Sequence, residues 1–173
     1  MRTLLPVVAV SLFALTLAPA HADHHAPTKT DSPTFAALKK LVGTWSAQAE
    51  KMPPVTVTYA LTSGNRCVKE TIELKDSPME TVFCDNGDAV VVTHYCHAGN
   101  QPRLKSQGLS ADGKSITFDF LDATGLASPK EGHMHKLVMQ LPDATKGKLV
   151  ETWSYFENGA EKSLNVFTLT RKN

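Results

Sequence analysis

The feature that most constrains this fold is a period-two alternation of apolar and polar residues, which begins after Gly43 and continues to the end of the chain. Successive side chains of a β-strand point to opposite faces, so a period of two is typical of half-buried strands. Turns rich in glycine, asparagine and aspartate separate the alternating segments, and no helical pattern lies between them. The sequence therefore predicts an all-β fold.

Ten short segments carry the alternation and are predicted to be antiparallel strands. They comprise residues 44–51, 55–61, 68–74, 81–84, 89–97, 103–109, 116–120, 133–141, 149–156 and 164–171. An open sheet of this size would expose two unpaired edges, whereas closure removes them. We therefore predict a single closed antiparallel β-barrel. A short helix predicted at residues 35–41, with Ser32 or Thr34 as its N-cap, would cover one mouth.

The first 22 residues have the pattern of a secretory signal peptide. A short positive start, Met1-Arg2-Thr3, precedes an apolar run, and Ala20-His21-Ala22 supplies a cleavage signal. We expect residues 23–33 to form a flexible leader and residues 34–173 to form one barrel domain. No second long apolar segment follows, so we expect a periplasmic or secreted protein without membrane insertion.

The charge balance narrows the range of partners. The chain has 18 lysine and arginine residues and 17 aspartate and glutamate residues, and loss of Arg2 with the signal peptide would make the two numbers equal. No run of like charge stands out, so nucleic acid is not an expected partner. We expect a small-molecule ligand as the partner and a monomeric or weakly dimeric protein.

Three cysteines follow the predicted signal peptide, at Cys67, Cys84 and Cys96. An oxidising compartment favours one disulfide and one leftover thiol. Cys67 and Cys84 lie on consecutive predicted strands joined by a turn at residues 75–78, so we predict that these two pair and that Cys96 is free. Three reduced cysteines are the alternative.

The best candidate for a functional site is the stretch AVVVTHYCHAGNQPR at residues 89–103. It begins as an apolar strand and then places two histidines, a tyrosine and a cysteine together before a turn. Polar side chains on an apolar strand are costly to bury unless a partner satisfies them. By alternation, His94 and Cys96 share a face with apolar residues, which we expect to be the barrel interior, and Tyr95 takes the other face.

Two further histidines, His133 and His135, share a predicted face with the apolar residues that follow them. Imidazole and thiolate are ligands of zinc, copper or iron. The candidate metal ligands are therefore His94, Cys96, His133 and His135, and one inward histidine could instead bind haem iron. His25, the third residue of the predicted mature chain, would complete a square-planar copper or nickel site with the terminal amine and two backbone amides. The alternative is a solvated tail whose histidines are incidental. No particular cofactor is indicated.

The segment Leu41-Val42-Gly43-Thr44-Trp45 resembles the G-x-W motif of the calycins, which include lipocalins, fatty-acid-binding proteins and nitrobindin-like haem proteins. This resemblance implies that Trp45 closes the base of the barrel. The motifs LxGxW, THYCxxGNQPR and LDATGLASPxxGHMH together are similar to a family of exported bacterial lipocalin-like proteins of unknown function. They occupy residues 41–45, 93–103 and 121–135. The resemblance implies the barrel and supplies no catalytic residues.

We interpret the two long motifs as the polar part of a mostly apolar ligand pocket at one mouth of the barrel. The predicted ligand-binding residues are His94, Tyr95, Cys96, Asn100, Gln101, Arg103, Phe118, Phe120, His133, His135 and Met139. Arg103 would receive a carboxylate group, and Tyr95 or His94 would supply a hydrogen bond.

The sequence leaves two further hypotheses besides the ligand pocket and the metal or haem site. One is a solid barrel with a buried structural cluster that fixes the loops against each other. Its members would be Asn100, Gln101 and Arg103, with Asp119, Asp122 or Glu131 as the carboxylate partner. Another is a thiol-dependent enzyme, in which Cys96 pairs with His94 or His135. Because no nucleophile elbow or glycine-rich phosphate loop is present, the sequence favours binding over catalysis, and no catalytic residue is predicted.

Overall fold

Residues 30–49, 52–74 and 77–172 are described by the computed structural model of the protein. The predicted signal peptide, residues 23–29 of the predicted leader, and His25 lie outside these described residues. The predictions made for that segment therefore stay predictions. No helix in the described part is long and apolar enough to cross a membrane.

The chain folds into a closed antiparallel β-barrel, which confirms the all-β prediction. Strands that follow one another in the chain pair with each other, and pairing of the first strand with the last closes the barrel. Within the described residues the elements are α1 (Pro33–Lys39), β1 (Gly43–Ala49), β2 (Met52–Thr62), β3 (Cys67–Glu73), β4 (Met79–Asp85), β5 (Val90–Tyr95), β6 (Gln101–Leu109), β7 (Ser115–Thr124), β8 (His133–Gln140), β9 (Lys148–Glu157) and β10 (Ala160–Arg171), with a short 3-10 helix at Pro142–Ala144.

The helix and a tryptophan lie at one end of the barrel, which we call the base. The Ser32 hydroxyl caps α1 by accepting a hydrogen bond from the Phe35 amide at 3.2 Å, so Ser32 rather than Thr34 is the N-cap. Trp45 is buried, and its indole N–H donates to the Leu41 carbonyl at 2.8 Å. The Arg171 guanidinium lies 4.3 Å from the centre of the Trp45 ring. This is the closing position that the resemblance to calycins implies for Trp45.

Inward-facing side chains of the strands, together with those of α1, form one buried apolar cluster. In this cluster the rings of Phe83 and Phe118 meet edge to face, with centroids 5.7 Å apart. Phe118 and Met139, which the sequence predicts as pocket residues, are both fully buried members of it. Their side chains therefore contribute to the packing of the barrel core.

The end opposite the base, which we call the mouth, is where strand boundaries differ most from prediction. The sequence predicts a fifth strand that reaches His97, but β5 ends at Tyr95. The chain turns there because the Cys96 amide donates to the Asn100 carbonyl at 3.1 Å and the Gly99 amide donates to the Cys96 carbonyl at 3.0 Å. Cys96 lies in this turn, so the strand alternation that predicts its inward orientation does not apply.

Cys67 and Cys84 form a disulfide bond between β3 and β4, where they are direct cross-strand partners. The predicted pairing is therefore present. Cys96 is the free cysteine of the described residues and is half-buried. The disulfide joins positions 17 residues apart and ties the two strands together close to the base of the barrel.

We expect removal of this disulfide to lower the free energy of unfolding by about 3 kcal/mol, because cross-linking a loop of this length restricts the unfolded chain by roughly that amount. Urea unfolding of the Cys67→Ala/Cys84→Ala variant and of the wild type measures the difference. Cys96→Ala is the matched control and should cost about 1 kcal/mol or less. Equal losses in the two variants would contradict a stabilising role for the bond.

Candidate functional site

A row of four polar side chains crosses the inner wall of the barrel on four adjacent strands. Tyr59 of β2 is the direct partner of Glu70 on β3. Thr81 of β4 is the partner of both Glu70 and His94 of β5. Their exposed fractions are only 0–3%. Since direct partners in an antiparallel sheet face the same side, the register alone aligns these four groups in the core. We call them the interior polar row.

Glu151 of β9 contacts this row from the other side of the β1–β10 junction and is only 1% exposed. The Tyr59 hydroxyl lies 2.9 Å from Glu70 Oε1 and also contacts Glu151 Oε1. A phenol has one proton, so it donates to one carboxyl group and must accept from the other. At least one of the two carboxyl groups therefore carries a proton.

Burial indicates which carboxyl group holds that proton. It raises the pKa of Glu151 well above its usual value, and the charge of Glu70 raises it further. Burial also raises the pKa of Glu70, although hydrogen bonds from Thr81 and Tyr59 partly offset the effect. The pKa of Tyr59 is likewise raised well above its usual value, by burial and then by the charges of Glu151 and Glu70. We infer that Glu151 holds the shared proton and donates to Tyr59, which donates to Glu70.

His94 ends the row and is kept neutral by its surroundings. Burial lowers its pKa to about 4, with a smaller contribution from the charge of His97. Its Nδ1 lies 2.9 Å from the Thr81 hydroxyl, and its ring packs on Trp153 with centroids 5.0 Å apart. Among the described residues, His94 Nε2 and Glu70 Oε2 have no hydrogen-bonding partner. The row is therefore sealed from solvent but not fully satisfied by protein groups.

An open cleft with a volume of about 570 Å³ lies at the mouth. It is formed by the end of β7, the start of β8, the end of β9 and the loop at residues 125–132. Its lining includes Phe120, Leu126, Pro129, His133, His135 and Phe156. We call it the mouth cleft. Its wall is mostly apolar and carries the second histidine pair identified from the sequence.

The two histidines of the mouth cleft are hydrogen-bonded to each other. His133 Nδ1 lies 2.8 Å from the Glu131 carbonyl oxygen, and His133 Nε2 lies 3.0 Å from His135 Nδ1. The His135 ring is stacked between Phe120 and Phe156, with centroid distances of 4.3 and 4.1 Å. Burial lowers the pKa of His135, and the charge of His133 lowers it further. Both effects favour the neutral imidazole.

The two long motifs meet at the rim of the mouth. The Asn100 side-chain amide is buried and donates to the Gly132 carbonyl at 2.9 Å. Gly125 packs so closely on the preceding loop that a Cβ there would lie 2.8 Å from the Gly99 carbonyl oxygen. The Gln101 side chain also binds the Gly99 carbonyl, at 2.9 Å. Asn100 and Gln101 therefore fix the loops that border the cleft.

Two predicted ligand-binding residues lie on the outer wall of the barrel. Tyr95 is 49% exposed. Arg103 alternates with buried neighbours on β6 and is exposed, and its Nε donates to Asp122 Oδ1 at 2.5 Å. The guanidinium is therefore held by a carboxylate of the protein and is not free to receive one from a ligand. The predicted Arg103–carboxylate contact is present, with Asp122 as the partner.

Apart from Cys96, which lies in the turn after β5, the remaining predicted residues divide between the core and the mouth cleft. His94 belongs to the interior polar row, while Phe118 and Met139 belong to the apolar core. Of the predicted ligand-binding residues, those that line the mouth cleft are Phe120, His133 and His135.

The four metal ligands proposed from the sequence are not brought together as one set. His133 and His135 contact each other, whereas His94 packs on Trp153 and Cys96 lies in the turn after β5. Over residues 30–49, 52–74 and 77–172, no group of three or more histidine, cysteine, aspartate or glutamate side chains is positioned to hold a metal ion.

Sequence reasoning missed the acidic members of the interior polar row and its tyrosine. Glu70 lies between the apolar residues Val68 and Ile72 of β3, so alternation already points it inward. Glu151 lies in the same way between Leu149 and Trp153 of β9. A glutamate at an inward-facing position of a predicted strand is therefore the sequence signal that identifies a buried polar group of this kind.

The closed antiparallel barrel, with Trp45 at its base, is consistent with a calycin- or lipocalin-like fold. The sequence matches no protein-family model and none of the curated proteins. Because no relative indicates a function, the proposal below is based on the geometry of the clefts and of the interior polar row.

The Glu151→Gln variant tests the shared proton. A carboxyl group whose pKa is raised on folding stabilises the protein fully below its unfolded pKa, and this contribution is lost as pH rises toward the folded pKa. The free energy of unfolding of the variant minus that of the wild type should therefore rise by about 1.4 kcal/mol per pH unit above roughly pH 4.5. Urea unfolding across this range measures the difference. Glu161→Gln, at an exposed position of β10, is the control and should give a flat line, and a flat line for Glu151→Gln would contradict the assignment.

The His94→Gln variant tests the neutral histidine, and its effect has the opposite sign. A histidine whose pKa is lowered on folding contributes stability above its unfolded pKa and loses it as pH falls through the folded value of about 4. The wild type should lose about 3 kcal/mol of unfolding free energy relative to the variant between roughly pH 7 and pH 4. Lys162→Gln, at an exposed position of β10, is the control and should leave the pH dependence of the unfolding free energy unchanged. A pH-independent difference for His94→Gln would show that His94 is protonated without penalty.

Proposed function

We propose that this protein binds a small, largely apolar molecule in the mouth cleft. The observation that supports this most directly is the cleft itself. Its volume of about 570 Å³ falls within the range of roughly 300–1,000 Å³ that is usual for small-molecule sites. Such sites are mostly apolar and contain a few placed polar groups. Phe120, Phe156, Leu126 and Pro129 supply the apolar wall, and the histidine pair supplies the polar groups.

Hydrogen bonds hold the walls of the mouth cleft in place. Asn100 joins the two loops at the rim through the Gly132 carbonyl. The Glu131 carboxylate accepts a hydrogen bond from the Ala127 amide within the loop that lines the cleft. The backbone N–H of Asn158 donates to the Lys130 carbonyl at 2.8 Å and so ties this loop to the β9–β10 turn. A wall that is already ordered loses less entropy when a ligand binds.

A second cleft, of about 400 Å³, lies at the base and is a weaker candidate. Arg171 and Trp45 line it, and both donate hydrogen bonds to backbone carbonyls of the protein. Arg171 donates to the carbonyls of Val42 and Lys40 at 2.8 Å each, and Trp45 donates to Leu41. In the mouth cleft, by contrast, His135 Nε2 has no hydrogen-bonding partner within the described residues.

The interior polar row is proposed to stabilise and specify the barrel and not to contact the ligand. Its members have exposed fractions of 0–3%, and Glu151 of 1%, so a molecule in the mouth cleft does not reach them in this structure. Cys96 lies in a turn whose contacts are made by backbone groups, which does not activate a thiol. Binding is therefore better supported than thiol-dependent catalysis.

We further propose that the protein is exported to the periplasm or beyond and acts there as a monomer or weak dimer. The signal-peptide pattern of residues 1–22 supports export. The Cys67–Cys84 disulfide supports an oxidising compartment. Both features agree with the resemblance of the long motifs to exported lipocalin-like proteins.

Titration with N-phenyl-1-naphthylamine, a neutral apolar dye whose fluorescence rises in apolar surroundings, tests the proposed function. The wild type should bind the dye, and Leu126→Asp should weaken binding by about tenfold or more, because the dye would have to desolvate the new carboxylate. Leu164→Asp is the matched control, since Leu164 is 55% exposed on β10, and it should bind as the wild type does. Dye binding that is absent, or that Leu126→Asp leaves unchanged, would contradict the proposal.

A further inference from the structure

His135 can be reached by a ligand only at the edge of its ring. Phe120 and Phe156 cover the two faces, since their planes are tilted from the imidazole by only 14° and 19° at centroid distances of 4.3 and 4.1 Å. The Nδ1 side of the ring is occupied by His133 at 3.0 Å. A ligand therefore cannot stack on this imidazole, and the polar contact left to it is a hydrogen bond at Nε2.

The hydrogen bonds of the pair determine what Nε2 can do. The Glu131 carbonyl oxygen only accepts, so His133 Nδ1 carries a proton. When both rings are neutral, His133 Nε2 is then the acceptor, and His135 Nδ1 must donate to it. This tautomer leaves His135 Nε2 with a lone pair. The carbonyl and the two imidazoles thus form a chain that presents a hydrogen-bond acceptor to the mouth cleft.

The charged groups around this acceptor offer an anion no net attraction, because Asp122 is paired with Arg103 and Asp119 with Lys136. Asp122 lines the cleft, and its pairing with Arg103 lowers its pKa, so it is ionised. Asp119 acts on His135 as a negative charge and pairs with Lys136 at 3.3 Å. A carboxylate placed against the Nε2 lone pair would gain no hydrogen bond and no net attraction from these paired charges. A ligand with a neutral donor gains the hydrogen bond.

We propose that the ligand of the mouth cleft is a neutral hydroxyl compound, an alcohol or phenol with an apolar body, whose O–H donates to His135 Nε2. This inference rests on the proposed function of the same cleft. The apolar body lies against Leu126, Pro129 and the exposed edges of the two phenyl rings. The hydroxyl group supplies a donor to an acceptor that has no hydrogen-bonding partner among the described residues. This gives selectivity for a donor over an equally apolar molecule that lacks one.

Three naphthalene derivatives of nearly the same shape test this ligand class. 2-Naphthol carries a donor, 2-methoxynaphthalene carries none, and 2-naphthoate carries a carboxylate. At about pH 8, where ordinary imidazoles are neutral, 2-naphthol should bind the wild type about tenfold more tightly than 2-methoxynaphthalene, and 2-naphthoate should bind most weakly. Calorimetry or ligand fluorescence measures the three dissociation constants.

The His135→Phe variant identifies the acceptor. Phenylalanine keeps a ring between Phe120 and Phe156 but removes Nε2, so 2-naphthol and 2-methoxynaphthalene should bind this variant with equal affinity. His97→Phe, at an exposed position of the turn after β5, is the control and should keep the tenfold preference.

The outcomes separate this inference from the proposed function. Equal binding of the three compounds, a preference for 2-naphthoate, or a naphthol preference that survives in His135→Phe would overturn the ligand class and leave the apolar cleft in place. Failure of all three compounds to bind, together with failure of the dye, would overturn the proposed function itself. The comparison within the wild type does not depend on whether the variant folds.

Discussion

Pairing of β1 with β10 is the contact on which the rest of the structure depends. It turns an open sheet with two edges into a closed barrel, with Trp45 opposite Arg171 and Ala47 opposite Leu169 in the register. Closure also creates contacts that no hairpin provides. Tyr59 on β2 and Glu151 on β9 are 92 residues apart in the chain, and they share a proton because the β1–β10 junction brings their strands to the same side of the interior.

The barrel separates its polar groups into two regions with different chemistry. In the sealed interior, burial keeps Glu151 protonated and His94 neutral, so Glu70 is the one member of the row that can carry a charge. At the mouth, His135 is only partly buried, and its Nε2 atom, which has no hydrogen-bonding partner within residues 30–49, 52–74 and 77–172, lies beside an apolar wall. The interior region specifies one register of the strands, and the mouth region is available to a ligand. The proposed ligand in the mouth cleft would therefore not require the core to open.

Period-two alternation was sufficient to predict the strands and their antiparallel order, because hairpins connect neighbours along the chain. It also indicates the inward position of Glu70, which lies between the apolar residues Val68 and Ile72. The stacking around His135 could not be predicted. It depends on the register of β7, β8 and β9, and that register shifts between Met134 and Lys136. The turn at Cys96 was missed for a related reason, since a backbone hydrogen bond to Asn100 ends the strand where side-chain pattern alone continues it.

The most direct measurement of the central claim is a crystal structure of the protein grown with 2-naphthol. This account predicts electron density for the naphthalene ring against Leu126 and Pro129, with its oxygen within hydrogen-bond distance of His135 Nε2. Density beside Trp45 at the base, or among the residues of the interior polar row, with an empty mouth cleft, would contradict it.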